Sequence, residues 1–158
     1  MRLLVVSDTH GRLDRMEDSM PMLRAIKGDL LVHLGDHARD AELFAKRLSL
    51  PVVALPGNCD FCPGKELERV LPFGEKRLLL CHGHTLGVKS GLDRLLRRAK
   101  ALGCDAALFG HTHLPHQAVE DGVLLLNPGS LGYAPDLGSG LGIGVLELED
   151  GQLRAALL

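Results

Sequence analysis

Leu3-Leu4-Val5-Val6-Ser7-Asp8-Thr9-His10 starts as a short apolar run with β-branched residues and breaks into a polar loop at Ser7-Asp8. Such a run, lacking the alternation of a half-exposed strand, predicts a strand buried on both faces. The pattern recurs. Residues 30–34 end in Gly35-Asp36, and residues 52–55 end in Pro56-Gly57-Asn58. Residues 78–81 end in His82-Gly83-His84, and residues 106–109 end in Gly110-His111-Thr112-His113.

Helical patterns separate the first three runs. They cover residues 15–27, kinked or restarted at Pro21, and residues 40–48, with Leu43, Phe44 and Leu48 on one face. Strand-helix-strand order implies a parallel sheet. Residues 90–102 carry the clearest helix, with Ser90 as N-cap, an apolar face of Leu92, Leu95, Leu96, Ala99 and Leu102, and a stop at Gly103. Arg94, Arg97, Arg98 and Lys100 read as its solvated face. Later the signals change. Phe73-Gly74-Glu75-Lys76, Asp121-Gly122 and Asp150-Gly151 each sit between short apolar runs and predict tight hairpins, with antiparallel strands over roughly the last forty residues. Gly138, Gly140, Gly142 and Gly144 alternate, unlike a G-x-G-x-x-G dinucleotide fingerprint, and predict a close backbone approach or a flexible edge. The expected fold class is α/β, with two packed sheets and helices outside.

A chain of 158 residues suits one domain spanning residues 1–158. With 46% hydrophobic and 24% charged residues it is neither disordered nor membrane-spanning, because its apolar runs fall far short of the ~20 residues a bilayer requires. The N-terminus reaches Asp8 too soon for a secretory signal, so a cytoplasmic location is expected. A net charge of −2 provides no global field to hold a polyanion, although a nucleic-acid substrate stays open. The absence of tryptophan, with 3% aromatic residues, argues against a base-stacking surface. Cys59, Cys62, Cys81 and Cys104 are too few and too scattered for a disulfide scaffold. Cys59-x-x-Cys62 has no second pair to complete a zinc site and reads as accidental spacing around Asn58.

The predicted strand ends carry the chemistry. In open α/β sheets, ligands gather beyond the carboxyl ends of parallel strands. Asp8, Asp36, Asn58, His82 and His111 all fall there, and extended chain would bring His10 in beside Asp8 and His113 beside His111. Carboxylate, amide and imidazole donors without thiolate suit Mn²⁺, Fe²⁺, Zn²⁺ or Ni²⁺. Seven donors exceed one tetrahedral ion and suit two ions sharing a carboxylate, as two-metal hydrolases require. Any one of these residues alone is more often a turn or a structural histidine; their joint placement is what points to a metal centre.

The same residues resemble the calcineurin-like metallophosphoesterases, small prokaryotic phosphodiesterase branch. The family pattern D-x-H, G-D, G-N-H-D/E, H and G-H-x-H appears as Asp8-Thr9-His10, Gly35-Asp36, Gly57-Asn58-Cys59-Asp60, His82 and Gly110-His111-Thr112-His113. Asn127-Pro128-Gly129-Ser130 is similar to the N-P-G-S segment of the small members. The resemblance implies a four-layer αββα sandwich with two mixed β-sheets flanked by helices. It implies two divalent metal ions, Mn²⁺ foremost, with Zn²⁺, Ni²⁺ or Fe²⁺ as alternatives. One would be held by Asp8, His10 and His113, the other by Asn58, His82 and His111, with Asp36 bridging. A metal-bridging hydroxide would attack phosphorus in line.

Cys59 stands where many members carry histidine, and a thiol replaces imidazolium poorly as a hydrogen-bond donor. The expected substrates are therefore small phosphate esters, diesters with good leaving groups above all. Asn58, Cys59 and His84 are the candidate catalytic residues, with His84, then His37, as the replacement proton donor. Relatives imply a homo-oligomer, dimer or tetramer. The alternative is a catalytically weak or inactive interaction scaffold of the same fold, as in the small subunit of the retromer sorting complex.

Overall fold

The computed structural model describes residues 1–133 and 140–158. In chain order the elements are β1 (Arg2–Val6), α1 (Leu13–Ile26), β2 (Leu30–His33), α2 (Ala41–Leu48) and β3 (Val52–Ala54). There follow β4 (Glu68–Phe73), β5 (Lys76–Cys81), α3 (Asp93–Ala101), β6 (Ala106–Leu108), β7 (His116–Glu120), β8 (Val123–Asn127), β9 (Ile143–Glu149) and β10 (Gln152–Leu157). Short 3₁₀ turns at Ala38–Asp40 and His84–Leu86 follow two of the strand ends.

One sheet has the order β10-β9-β1-β2-β3 and the other β4-β5-β6-β8-β7. In the first, β1, β2 and β3 run parallel while β9 and β10 are antiparallel; in the second, β5, β6 and β8 run parallel between antiparallel edges. Both sheets are mixed, as expected. The late part is less uniform than its turn signals suggest, because β8 pairs parallel to β6 as well as antiparallel to β7.

Period-two alternation sorts β1 into two layers, which explains its unbroken apolar run. Leu3 and Val5 pack between the sheets with Val32, Leu80, Leu108 and Leu126, while Leu4 and Val6 face Met16, Met20 and Leu23 of α1 and Phe44 of α2. Helix α3 covers the outer face of the second sheet, with Leu95 and Ala99 on Leu79, Ala107 and Leu125. The order helices, sheet, sheet, helix is the four-layer αββα sandwich.

Several local expectations are corrected. Helix α1 begins at Leu13 and continues through Pro21 without restarting. Pro21 lies on the exposed face, open to solvent, while the buried Met20 and Leu23 hold the helix to the sheet. Ser90 is not the N-cap of α3; the helix starts at Asp93 after Leu92, with no side-chain cap, because a turn at residues 87–89 and a bend at Ser90 precede it. Its stop is as read, with Gly103 left-handed at φ 63°. Asp121-Gly122 (φ 48° and 79°) and Asp150-Gly151 (φ 49° and 73°) turn two hairpins. A Cβ on Gly142 would lie 2.5 Å from the Ser130 carbonyl, so the close-approach reading holds there; Gly138 lies outside the described residues.

Candidate metal centre

The loops after β1, β2 and β3 meet the loops after β5 and β6, so the site straddles the carboxyl ends of both sheets. Extended chain does not deliver the ligands. Asp8, His10, Asp36, His37, His111 and His113 all adopt left-handed backbone, with φ between 48° and 72°. Each non-glycine residue held there costs roughly 1–2 kcal/mol, which the surrounding packing must offset. The i, i+2 expectation holds in outcome for Asp8 and His10, which share one donor group, and is corrected for His111 and His113. His111 and His113 diverge: the His111 ring lies 5.0 Å from that of His82, while His113 Nε2 lies 3.1 Å from Asp8 Oδ1.

Asp8, His10, Asp36 and His113 each turn one donor atom into a group within 4.8 Å of one another. His10 Nε2 lies 3.3 Å from His113 Nε2, 3.9 Å from Asp8 Oδ1 and 3.7 Å from Asp36 Oδ2. These separations are close to the roughly 3.0–3.4 Å between neighbouring donors that bind one ion at about 2.1 Å. A second group adjoins it. His82 Nε2 lies 3.1 Å from Asn58 Oδ1 and 3.4 Å from Asp36 Oδ1. Asp36 thus offers one oxygen to each group.

Two observations test the fit of cations. Asp8 is wholly buried; its Oδ2 accepts from Ser7 Oγ at 2.5 Å and from the His111 N–H at 3.1 Å, yet its Oδ1 has no hydrogen-bond partner. An unpartnered buried carboxylate oxygen is costly, and a bound cation removes that cost. Second, buried His82 must donate from Nδ1, because its partner 2.8 Å away is the Leu34 carbonyl. That bond orients Nε2 toward the Asn58 and Asp36 oxygens in the tautomer of a metal ligand.

The remaining candidates surround this pair. His84 packs 5.4 Å from His82 and 6.2 Å from His111, centroid to centroid, with Nδ1 buried and unpartnered. Burial and neighbouring His82 hold His84 below the usual imidazole pKa, and the same causes, with Lys89, push His111 down to about 4. Cys59 contributes its backbone N–H, 2.9 Å from Asp36 Oδ1; its exposed thiol, raised by desolvation and by Asp36, stays protonated.

Asp60, Asn127 and Ser130 are motif positions to which the sequence assigns no role, and His33 sits unremarked in its strand, because what these residues hold is backbone. Asp60 accepts from the N–H groups of Gly57 (2.8 Å) and Ala38 (3.0 Å), joining the Asn58 loop to the Asp36 loop. Asn127 donates to the Gly110 carbonyl, and Ser130 Oγ donates to the Asp8 carbonyl, so the N-P-G-S segment ties two ligand loops together. His33 accepts the Gly35 N–H on Nδ1, so its Nε2 donates to Thr9 Oγ1 (3.0 Å), which donates in turn to Asp40 Oδ2 (2.6 Å). The available signal was a histidine inside an otherwise apolar strand.

Burial lowers His33 to about 4. The unfolded chain then binds the proton more readily between that value and about 6.5, so folding free energy is fully present above pH ~6.5 and falls as pH drops toward 4. The loss is on the order of 3 kcal/mol, from 1.36 kcal/mol per unit of pKa difference. Urea unfolding midpoints should drop between pH 7 and pH 5, and His33→Gln should flatten that slope. A second expectation concerns Gly57, where a Cβ would lie 2.2 Å from Asp36 Oδ1 and 2.4 Å from Asp36 N. Gly57→Ala should keep the circular dichroism spectrum while reducing divalent-cation affinity at least about tenfold, as expected when groups orienting metal ligands are disturbed.

A family model for the calcineurin-like phosphoesterase superfamily domain matches residues 1–151. The chain is 35% identical over 132 residues to the probable metallophosphoesterase YsnB of Bacillus subtilis, covering 83% of this chain and 75% of that protein. It is 30% identical over a 173-residue alignment to the phosphodiesterase YfcE of Escherichia coli, covering 93% and 88%. Its fold is similar to that of Vps29 from Entamoeba histolytica, solved complexed with Zn²⁺, with TM-score 0.76, 21% identity and coverage of 99% and 97%. Relatives and donor cluster together define a metal-dependent hydrolase of phosphate esters. The chain belongs to the calcineurin-like phosphoesterase superfamily.

Proposed function

We propose that the chain is a dinuclear phosphodiesterase. Asp8, His10 and His113 hold one divalent cation, Asn58, His82 and His111 hold the other, and Asp36 serves both. The observation that carries this reading is the division of Asp36, Oδ2 toward His10 and Oδ1 toward His82, beside the unpartnered Asp8 oxygen. When bound, such cations lower the pKa of a coordinated water to make a nucleophile near neutral pH and draw charge from the phosphoryl oxygens.

The chain's own residues set the rest. Tethered by Leu34 through Nδ1, His82 holds its ring in one orientation, and Ser7 with the His111 N–H fixes the Asp8 carboxylate. Cys59 presents a neutral thiol, and His84, lowered by burial, is a neutral imidazole at pH 7; neither is a strong acid for a poor leaving group. Diesters of phenols and other acidic alcohols suffer least from that deficit. Mn²⁺ stays the leading ion, because the carboxylate and amide oxygens suit it, beside four imidazole nitrogens that suit Zn²⁺, Ni²⁺ and Fe²⁺ as well, and free cysteines suit the reducing cytoplasm. No helix among the described residues is long and apolar enough to cross a membrane. The scaffold alternative predicts altered ligand positions, whereas all seven here keep donor side chains.

The test is hydrolysis of bis(p-nitrophenyl) phosphate and p-nitrophenyl phosphate with Mn²⁺, Zn²⁺, Ni²⁺ or Fe²⁺ after chelator treatment. Metal-dependent turnover favouring the diester is expected. Failure with every ion would leave the scaffold reading in its place.

A further inference from the structure

The chain has a single tyrosine, and its ring stands at the metal centre. Tyr133 stacks on the His113 ring, centroids 6.2 Å apart and planes at 27°, and meets the His10 ring edge to face, 6.3 Å apart at 89°. His10 and His113 lie 5.2 Å from each other, so the three rings form one group. Such separations and angles are those that aromatic pairs prefer.

The segment presenting this ring is tied to the loop that carries two of the ligands. The Leu131 and Gly132 N–H groups donate to the Ser7 and Asp8 carbonyls, both at 3.1 Å, and the Tyr133 N–H donates to Ser130 Oγ at 2.9 Å. A Cβ on Gly132 would collide with the Thr9 carbonyl, so the chain lies flat on the stretch between Asp8 and His10. Tyr133 remains 59% exposed, so this placement does not serve to bury the ring.

The two donor groups differ in what holds their imidazoles. His82 is wholly buried, with Nδ1 tethered to the Leu34 carbonyl. The side chains of His10 and His113 are 23% and 35% exposed, and among the described residues no hydrogen bond reaches the Nδ1 of either. Their Nε2 atoms lie 3.3 Å apart, but as metal ligands both are acceptors, and that contact cannot orient them. Side chains that must be ordered on binding weaken it, and preorganisation restores the loss.

We infer that Tyr133 is a positioning residue for the cation held by Asp8, His10 and His113: its ring keeps the two imidazoles in their ligating orientation, the part that the Leu34 carbonyl plays for His82. The phenol hydroxyl has no share in this. The inference rests on the dinuclear reading and gives one of its two cations a dependence that the other lacks.

Calorimetric titration of the chelator-treated protein with Mn²⁺ tests it. Tyr133→Ala should weaken one cation at least about tenfold, the scale of losing a group that orients a metal ligand, and leave the other within about twofold as an internal control for folding. Tyr133→Phe, which keeps the ring, should stay within about twofold of the wild type for both. Unchanged affinities in Tyr133→Ala, an equal loss at both cations, or a loss that Tyr133→Phe reproduces overturns the assignment. A wild type that binds fewer than two cations counts against the dinuclear reading by itself. Carbon-13 relaxation of the histidine rings in the metal-free protein then decides Tyr133 separately. His113 and His10 rings ordered in the wild type and Tyr133→Phe but mobile in Tyr133→Ala support it, and equal order in all three overturns it.

Discussion

Asp36→Ala should lower metal-dependent turnover of bis(p-nitrophenyl) phosphate by at least about 10³-fold, since metal-ion catalysis is worth several kcal/mol and each 1.36 kcal/mol is tenfold in rate. Asp36 is 2% exposed and faces both donor groups, so alanine removes an oxygen from each at once. It also leaves the Cys59 N–H without its acceptor, freeing the loop that carries Asn58. Asp36→Asn should fall between alanine and wild type, because an amide oxygen can still accept from Cys59 while the shared negative charge is gone. Steady-state rates over a Mn²⁺ titration check this. A variant keeping more than a tenth of wild-type kcat at saturating Mn²⁺ would remove Asp36 from its shared position.

Divalent cations should also stabilise the fold, and the effect should depend on Asp8. A ligand at a hundred times its Kd adds about 2.7 kcal/mol to the native state. At roughly 2–4 °C per kcal/mol for a domain of this size, Tm should rise about 5–10 °C with saturating Mn²⁺ and fall back with chelator. Asp8→Asn should abolish most of that rise. In the metal-free protein its sign reverses: the variant exchanges an unpartnered buried carboxylate oxygen for an amide that can donate to His113 Nε2, so its Tm should match or exceed that of the wild type. Calorimetry with and without Mn²⁺ reads both effects. A metal-induced shift surviving in Asp8→Asn would show that the cation binds elsewhere.

Much of the site was legible because the chemistry sits at strand ends. An apolar run that stops in Gly-Asp or Gly-His announces both a buried strand and the polar atom that follows it, and hairpin turns such as Asp121-Gly122 announce themselves through left-handed preference. What misled was the assumption of extended backbone after Asp8 and His111. Left-handed turns there send His113 to Asp8 and His111 to His82, an outcome that side-chain periodicity cannot foresee. Ser90 was misread for a similar reason: a good N-cap type is a local preference, and the turn and bend at residues 87–90 overrode it.

From the order of residues alone came the α/β class, the parallel strands, the three helices and the seven donor types, because each depends on local pattern or on side-chain chemistry. The tertiary structure decided which donors cluster together, that Asp36 turns an oxygen to each group, and that His33, Asp60, Asn127 and Ser130 brace the loops. Those outcomes arise from contacts between segments as far apart as Asp8 and Ser130, 122 residues along the chain, and no local pattern encodes the distance between them.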